Sequence, residues 1–292
     1  MSVLSLHAAA DPPDAVDASR GWRPSASVEQ VEIDLLLEAM VRLHGLDLGA
    51  VRRETMMASI RRVMRERRLR SVTALLEEVL HGGVASLAAL LQELAPFSEP
   101  AFFGAFRAHV IPWLRTYPYS AIWAADSITG ADVYALAILL EEAGLYDRVR
   151  IYATQSEHAR MALLQAGVSS ACAIETGEAG YRAAGGTRRL VDYYEAHGPA
   201  LQVRDHLRRN VVWVEYDLHA GETFNEFDLI LCRGLLPRMS AAQRRQFYRL
   251  VAESLSRFGL LALDESERPD LPPYANWFRA WPSAAGLHQR IR

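Results

Sequence analysis

The feature that most constrains this chain is a change of hydrophobic period at Pro96. Before it, from Val28 to about Leu94, apolar residues recur at helical spacing. Ile33, Leu36, Leu37, Met40 and Val41 share one face, and Leu75, Leu76, Val79 and Leu80 repeat the signal. Gly45 and Gly82-Gly83 break these helices, and between them Ile60, Val63 and Met64 stripe a helix running from Met57 to Arg70. After Pro96, short apolar runs alternate with helical segments. Residues 121–125, 148–154, 211–216, 227–232 and 260–263 read as strands. A helix opens at Thr129-Gly-Ala-Asp132, another spans Ser156 to Ala166, and a third spans Ser240 to Phe258, with Ser240 and Gln243 as a capping box and Gly259 as its stop. Strands joined by crossover helices demand a doubly wound, mostly parallel sheet, whose ligand crevice lies at the carboxyl ends of the strands.

The expected layout is therefore a leader over residues 1–27, an all-helical domain over 28–97 and an α/β domain over 98–292. The leader is rich in Ala, Asp, Pro and Ser, a composition that does not build a core, and it lacks the charged-then-apolar order of a signal peptide. Residues 188–210 interrupt the alternation with a Tyr-rich helix (Leu190, Val191, Tyr193, Tyr194), a turn at His197-Gly-Pro199 and a short extended piece at 201–203. They read as a rim insertion, its tyrosines serving as core. Trp277, Phe278 and Trp281 are expected to pack a final hairpin.

Charge excludes some functions and points to another. The chain has no lysine, so its 32 basic residues are all arginine, against 35 acids, for a net charge of -3. General nucleic-acid or membrane binding does not follow from that balance. No apolar run approaches the roughly 20 residues that span a bilayer. Cys172 and Cys232 lie far apart with no CxxC or Cys/His spacing, and the nine histidines share no spacing. Neither a disulfide framework nor a metal site is expected, which suits a cytoplasmic protein. The arginines nevertheless concentrate: Val51 to Arg70 holds eight arginines and two glutamates, a local charge of +6. Arg61, Arg65 and Arg68 stand at i, i+4 and i+7, which makes either a cationic ridge, with Arg62 beside it, or a solvated helix face.

The order of Phe102-Phe103, Trp123-Ala-Ala-Asp-Ser-Ile-Thr-Gly-Ala-Asp-Val-Tyr134, Ile151-Tyr-Ala-Thr, Asp217-Leu218, Phe227-Asp-Leu-Ile-Leu-Cys-Arg233 and Gly259-Leu-Leu-Ala-Leu-Asp-Glu-Ser-Glu267 resembles the CheR family. These are S-adenosylmethionine-dependent methyltransferases that methylate glutamates on bacterial chemoreceptors. The resemblance implies a Rossmann-like class I methyltransferase fold behind a helical N-terminal domain, and S-adenosylmethionine as cofactor. It places Asp126, Gly130, Asp132, Gln155, Asp217 and Leu218 at cofactor positions, and Arg61, Arg62, Arg65 and Arg68 toward an acidic receptor helix. It also exposes departures. Gly104 stands where the family has an arginine after Phe-Phe, Pro100 replaces a threonine, Asp132 remains where the family has two adjacent acids, Gln155 replaces the ribose-binding aspartate, and Arg238 aligns with the active-site tyrosine.

A hydrogen bond to a charged group is worth about 1.5–3 kcal/mol. Two such losses weaken cofactor binding on the order of 100-fold to 10,000-fold. The expectation is a CheR-like protein that binds a signalling partner rather than methylating it. The alternatives are a working protein-glutamate O-methyltransferase with a rebuilt pocket, and a nucleotide or anion sensor using Arg233 and Arg238. In some members of the family the rim insertion holds a receptor's C-terminal peptide through a glycine-based loop. The turn at 197–200 has no Gly-x-Gly, so no such tether is expected here.

Overall fold

In a computed structural model of the chain, all residues are described except 1–26, 45–52, 82–83, 127–129, 157, 219–221, 224, 234, 237–238, 266, 270–273, 283 and 285. The expected leader up to residue 26, the capping Thr129, and Arg238 thus lie outside the described residues.

Four helices form the N-terminal module: α1 (Val28–His44), α2 (Arg53–Glu66), α3 (Val72–Leu80) and α4 (Val84–Gln92). Ile33, Leu36 and Met40 of α1 close on Met56, Ile60 and Val63 of α2 and on Val72, Leu75 and Val79 of α3. This is the i, i+3/i+4, i+7 stripe expected of amphipathic helices sharing one small core. Ser71 starts α3 by accepting the Ala74 N–H at 3.1 Å. One expectation fails here. Helix α2 stops at Glu66, and Arg68 adopts φ 57° while Leu69 N–H reaches back to the Met64 carbonyl at 2.8 Å and Arg68 N–H to that of Arg65 at 3.2 Å. That is a Schellman ending. Arg68 therefore leaves the helical row that its i+7 spacing suggests, and the ridge on α2 is limited to Arg61, Arg62 and Arg65.

Among the described residues the second unit has ten strands: β1 (Ser120–Ala124), β2 (Val149–Gln155), β3 (Val168–Ser169), β4 (Tyr194–His197), β5 (Ala200–Val203), β6 (Val211–Glu215), β7 (Phe227–Leu231), β8 (Leu255–Ala262), β9 (Phe278–Ala280) and β10 (Leu287–Arg290). Seven form one sheet in the order β6-β2-β1-β7-β8-β10-β9, with the first five parallel and the closing β9–β10 hairpin antiparallel. The chain winds outward from β1 to β6, then returns to β7 on the other side. The switch point, and with it the crevice, falls at the carboxyl ends of β1 and β7. The helix Gly130–Glu142 is buried from Val133 to Leu140, as an all-apolar run requires.

Two more details differ from expectation. The last long helix spans Ala241–Ser254, with the Ser240/Gln243 capping box in place, but it gives way directly to β8 at Leu255. Gly259 is thus not a helix stop. It lies in β8 beside a register irregularity against β7, where a Cβ would come 2.8 Å from the Asp228 carbonyl, so close strand approach requires its bare backbone. In the insertion, the expected Tyr-rich helix is a single 3-10 turn at Leu190–Tyr193 followed by the β4–β5 hairpin, which turns at Gly198 with φ 58°. Its apolar residues mimic a helical cluster, but alternation from Tyr194 onward and the Gly-Pro turn favour strands. With β3 they form a separate sheet, order β3-β5-β4, and Tyr193 and Tyr194 are buried.

Candidate functional site

The crevice floor is set by Thr154, buried near the end of β2. Its hydroxyl accepts two hydrogen bonds, from Trp123 Nε1 at 3.0 Å and from the Asp126 N–H at 3.1 Å. Asp126 ends β1 in a left-handed turn, φ 43°, a conformation that aspartate tolerates better than most residues. The Trp123 ring stacks on Phe227 at 5.2 Å and meets the Tyr216 edge at 5.8 Å, closing the apolar side beneath the strand ends. Nothing in the sequence marks Thr154 except its place one residue before the strand end.

Around this floor the expected cofactor positions converge. Asp126, Gln155, Asp217 and Leu218 follow or end β1, β2 and β6, which are neighbours in the sheet, and Gly130 and Asp132 open the helix that follows β1. Gln155 is fully buried, and its backbone carbonyl accepts the Tyr216 N–H at 2.9 Å, tying the two strand ends together. Asp217 is exposed and Leu218 buried. Burial, with Asp217 and Glu222 beside it, holds the Tyr216 phenol above its ordinary range. At Gly130 a Cβ would sit 2.9 Å from the Leu164 carbonyl, so the helix start can pack this closely only as glycine.

The other half of the crevice, at the ends of β7 and β8, is organised by Arg233. Its side chain is 19% exposed and pairs with Glu99 and, at 3.4 Å, with Asp264, while its guanidinium lies 3.9 Å over the Phe102 ring. One cation thus joins the segment entering from the N-terminal module to two strand ends. An anion sensor built on Arg233 would have to displace both carboxylates. Arg107, at the far end of the helix Gly130–Glu142, is engaged by Glu142 at 2.6 Å and the Ala184 carbonyl at 2.9 Å. Gly104 leaves room: a Cβ there would meet only the Ala184 Cα, at 3.9 Å.

Glu267 completes this cluster. Burial and the adjacent Asp264 carboxylate push its carboxyl up to about 7, and its Oε2 accepts the Asp264 N–H at 3.3 Å. The folded chain therefore keeps the Glu267 proton over a range where an unfolded glutamate, near pH 4.3, has lost it. Stability falls as pH rises from the unfolded value through about 7. Glu267→Gln is expected to gain about 1–2 kcal/mol over the parent at pH 8 and nothing at pH 4, the shift being discounted for partial exposure. Urea unfolding at the two pH values checks this, and an equal gain at both would refute the raised carboxyl.

The arginine ridge lies apart, on the N-terminal module. Arg61 pairs with Glu29 at 2.8 Å and Arg62 with the buried Glu93 at 3.4 Å, whereas Arg65 and Arg68 are exposed. Among the described residues no helix is long and apolar enough to cross a membrane.

A doubly wound parallel sheet closed by an antiparallel hairpin, with its polar residues gathered at the carboxyl ends of β1, β2 and β6, is the class I methyltransferase architecture. Comparison with known proteins narrows the class. The family described as CheR methyltransferase, SAM binding domain, matches residues 94–286. The putative methyltransferase Cher3 of Pseudomonas putida is 33% identical over 253 residues, covering 85% of this chain and 92% of that protein. Chemotaxis protein methyltransferase 1 of Vibrio cholerae is 28% identical over 152 residues, and a chemotaxis protein methyltransferase of Listeria innocua 28% over 148, each match covering 50% of this chain and 53% of the relative. The chain belongs to the CheR methyltransferase family, whose cofactor is S-adenosylmethionine.

Asp126 and Asp132 lie by the β1 end and Asp217 beyond the β6 end. Between them stands the buried Gln155, whose carboxamide has one acceptor oxygen where a carboxylate would have two.

Proposed function

We propose that this chain is a bacterial, cytoplasmic CheR-family signalling protein that acts by binding a protein partner, with methyl transfer reduced to a secondary or lost activity. The observation that carries the reading is the commitment of arginine at the reaction end. Gly104 provides no side chain, and Arg233, which stacks on Phe102 at that end, is held by Glu99 and Asp264. That guanidinium is already engaged by two carboxylates. Bound S-adenosylmethionine would supply an activated methyl group, and transfer to a carboxylate then needs alignment in a dry site more than proton transfer. In this chain Asp126, Asp132, Gln155 and Asp217 would hold the cofactor. Orienting the acceptor with Arg233 would require it to give up Glu99 and Asp264. Partner binding falls to the basic module, where Arg65 and Arg68 are exposed and Arg61 and Arg62 are shared with glutamates. An acidic helix of a chemoreceptor-like protein is the surface such a ridge attracts.

The second reading, a working glutamate O-methyltransferase, is favoured by the three aspartates retained around the crevice. Titration of the full chain with S-adenosylhomocysteine separates the two. The expected dissociation constant is on the order of hundreds of micromolar or weaker, and Gln155→Asp is expected to tighten it about 10-fold to 100-fold by restoring a charged acceptor. Low micromolar binding by the parent, with methyl label appearing on a co-expressed receptor, would replace the first reading by the second.

A further inference from the structure

The seven-stranded sheet ends at β9, whose outer side has no neighbouring strand. On its inner side β9 pairs Phe278 with Arg290, Arg279 with Gln289 and Ala280 with His288. Just beyond these pairs, the Trp281 N–H donates to the Leu287 carbonyl at 2.8 Å and the Ile291 N–H to the Trp277 carbonyl at 2.7 Å. In an antiparallel pair, hydrogen-bonded positions alternate with non-bonded ones. Residues 277, 279 and 281 therefore turn their backbone groups toward β10, and Phe278 and Ala280 turn theirs away from it. Arg279 and Ala280 are exposed. An edge of this kind is a template for a further strand.

Against the same edge lies a groove of about 390 Å³, between the β9–β10 hairpin and the π-helical stretch Phe106–Val110. Ala280, Trp281 and Pro282 make its wall mostly apolar, and His109, Arg279 and Gln289 supply its polar atoms. An apolar cavity of about 150 Å³ holds benzene, so the groove takes one aromatic side chain with room for its flanks. Arg279 and Trp281 stand two apart and so share a face of the strand. Among the described residues Arg279 meets a neutral acceptor, Gln289 Oε1 at 3.2 Å, and no carboxylate. A cation on an edge strand ordinarily deters pairing. It favours pairing with a strand that sets a carboxylate directly across from it.

We propose that the β9 edge docks an extended segment of a partner protein that carries an acidic and an aromatic side chain two residues apart, the acid across from Arg279 and the ring in the groove beside Trp281. The backbone of Ala280 supplies hydrogen bonds, and the groove selects the side chain. Spacing decides recognition: a shift of one residue turns the acid to the opposite face of the added strand. This surface is separate from the basic module, and the inference does not rest on the signalling role proposed above.

The test titrates the full chain, labelled with nitrogen-15 at alanine, with the peptide acetyl-Thr-Asp-Val-Phe-Val-Asp-Thr-amide. An aspartate stands two residues from the phenylalanine on either side, so both strand directions are covered. The rearranged peptide acetyl-Thr-Val-Asp-Phe-Asp-Val-Thr-amide has the same composition and charge. The first is expected to shift the Ala280 amide saturably and to slow its exchange, and the second to bind at least about tenfold more weakly. Ala280→Pro removes an N–H that points away from β10, so it is expected to keep the thermal midpoint of the parent and to lose about tenfold in affinity. Arg279→Glu is expected to reject the first peptide and to accept its counterpart with lysine in place of both aspartates. No saturable shift with the first peptide, equal binding of the two arrangements, or unchanged affinity in Arg279→Glu would each overturn the proposal. So would sedimentation showing the parent as a dimer and Ala280→Pro as a monomer, because the edge would then belong to a second copy of the chain.

Discussion

Glu142→Gln is expected to lower the free energy of unfolding by about 3–5 kcal/mol, the range for breaking a buried charge pair from one side. Glu142 ends the central helix with its side chain 10% exposed, and it accepts from the Tyr181 hydroxyl, from the Tyr193 hydroxyl at 2.7 Å and from Arg107 at 2.6 Å. Burial alone would push its carboxyl up. The hydrogen bonds from Tyr181, Arg107 and Tyr193 outweigh that and hold it below the ordinary range. A carboxamide has one acceptor oxygen for three donors and turns its own N–H toward one of them. Because the folded carboxyl is depressed, its contribution is present above the unfolded value and is lost as pH falls through the folded one. The gap between parent and variant should therefore narrow below about pH 4. Tyr193 belongs to the insertion and Tyr181 to the helix Ala171–Ala183 before it, so amide exchange in these two segments should accelerate most. A loss below about 1 kcal/mol, typical of a single neutral hydrogen bond, would show that the three donors do not depend on the charge.

Arg233→Gln is the second large effect, about 2–4 kcal/mol, from stranding Glu99 and Asp264 and removing the stack on Phe102. The variant carries a signature that simple unfolding does not. Arg233 lowers the proton affinity of Glu267, so without it the carboxyl should titrate higher than about 7. Carboxyl titration by carbon-13 NMR reads this directly, and an unmoved Glu267 would refute the electrostatic link. Contacts between the segment at 97–103 and the sheet should loosen in the same variant, since Glu99 and Phe102 both lie there.

The sheet was legible because a parallel strand buried on both faces must be a short apolar run, and its helices announce themselves by period and caps. Helix ends were less so. The Arg68 turn depends on backbone hydrogen bonds that any residue could make, and Gly259 reads as a helix stop when it is in fact the thinnest point of a strand pair. Periodicity marked the strand ends, and the family resemblance, not spacing, singled out Asp126, Gln155 and Asp217 there. Thr154, Glu99 and Asp264 could not be found either way: their roles depend on partners 28, 134 and 31 positions away, as in the Asp126–Thr154 and Arg233–Glu99 pairs. Such pairings exist only after the sheet has brought distant segments together. The ridge shows the same limit, since a count of arginines says nothing about the glutamates opposite them.

Glu93 gives that last point a mechanical meaning. It is buried at the end of α4, where it is answered by Arg62 from one side and by the Ser170 side chain from the other, and Ser170 caps the helix Ala171–Ala183. An acidic surface pulling Arg62 outward would leave a carboxylate stranded at the seam between the two units. It would then have to supply the energy of that disruption before gaining anything from the contact. Arg62 is therefore a hinge pin as well as a charge, and a partner able to draw it would pry at the joint between module and sheet, whereas one that settles for Arg65 and Arg68 would leave the joint closed.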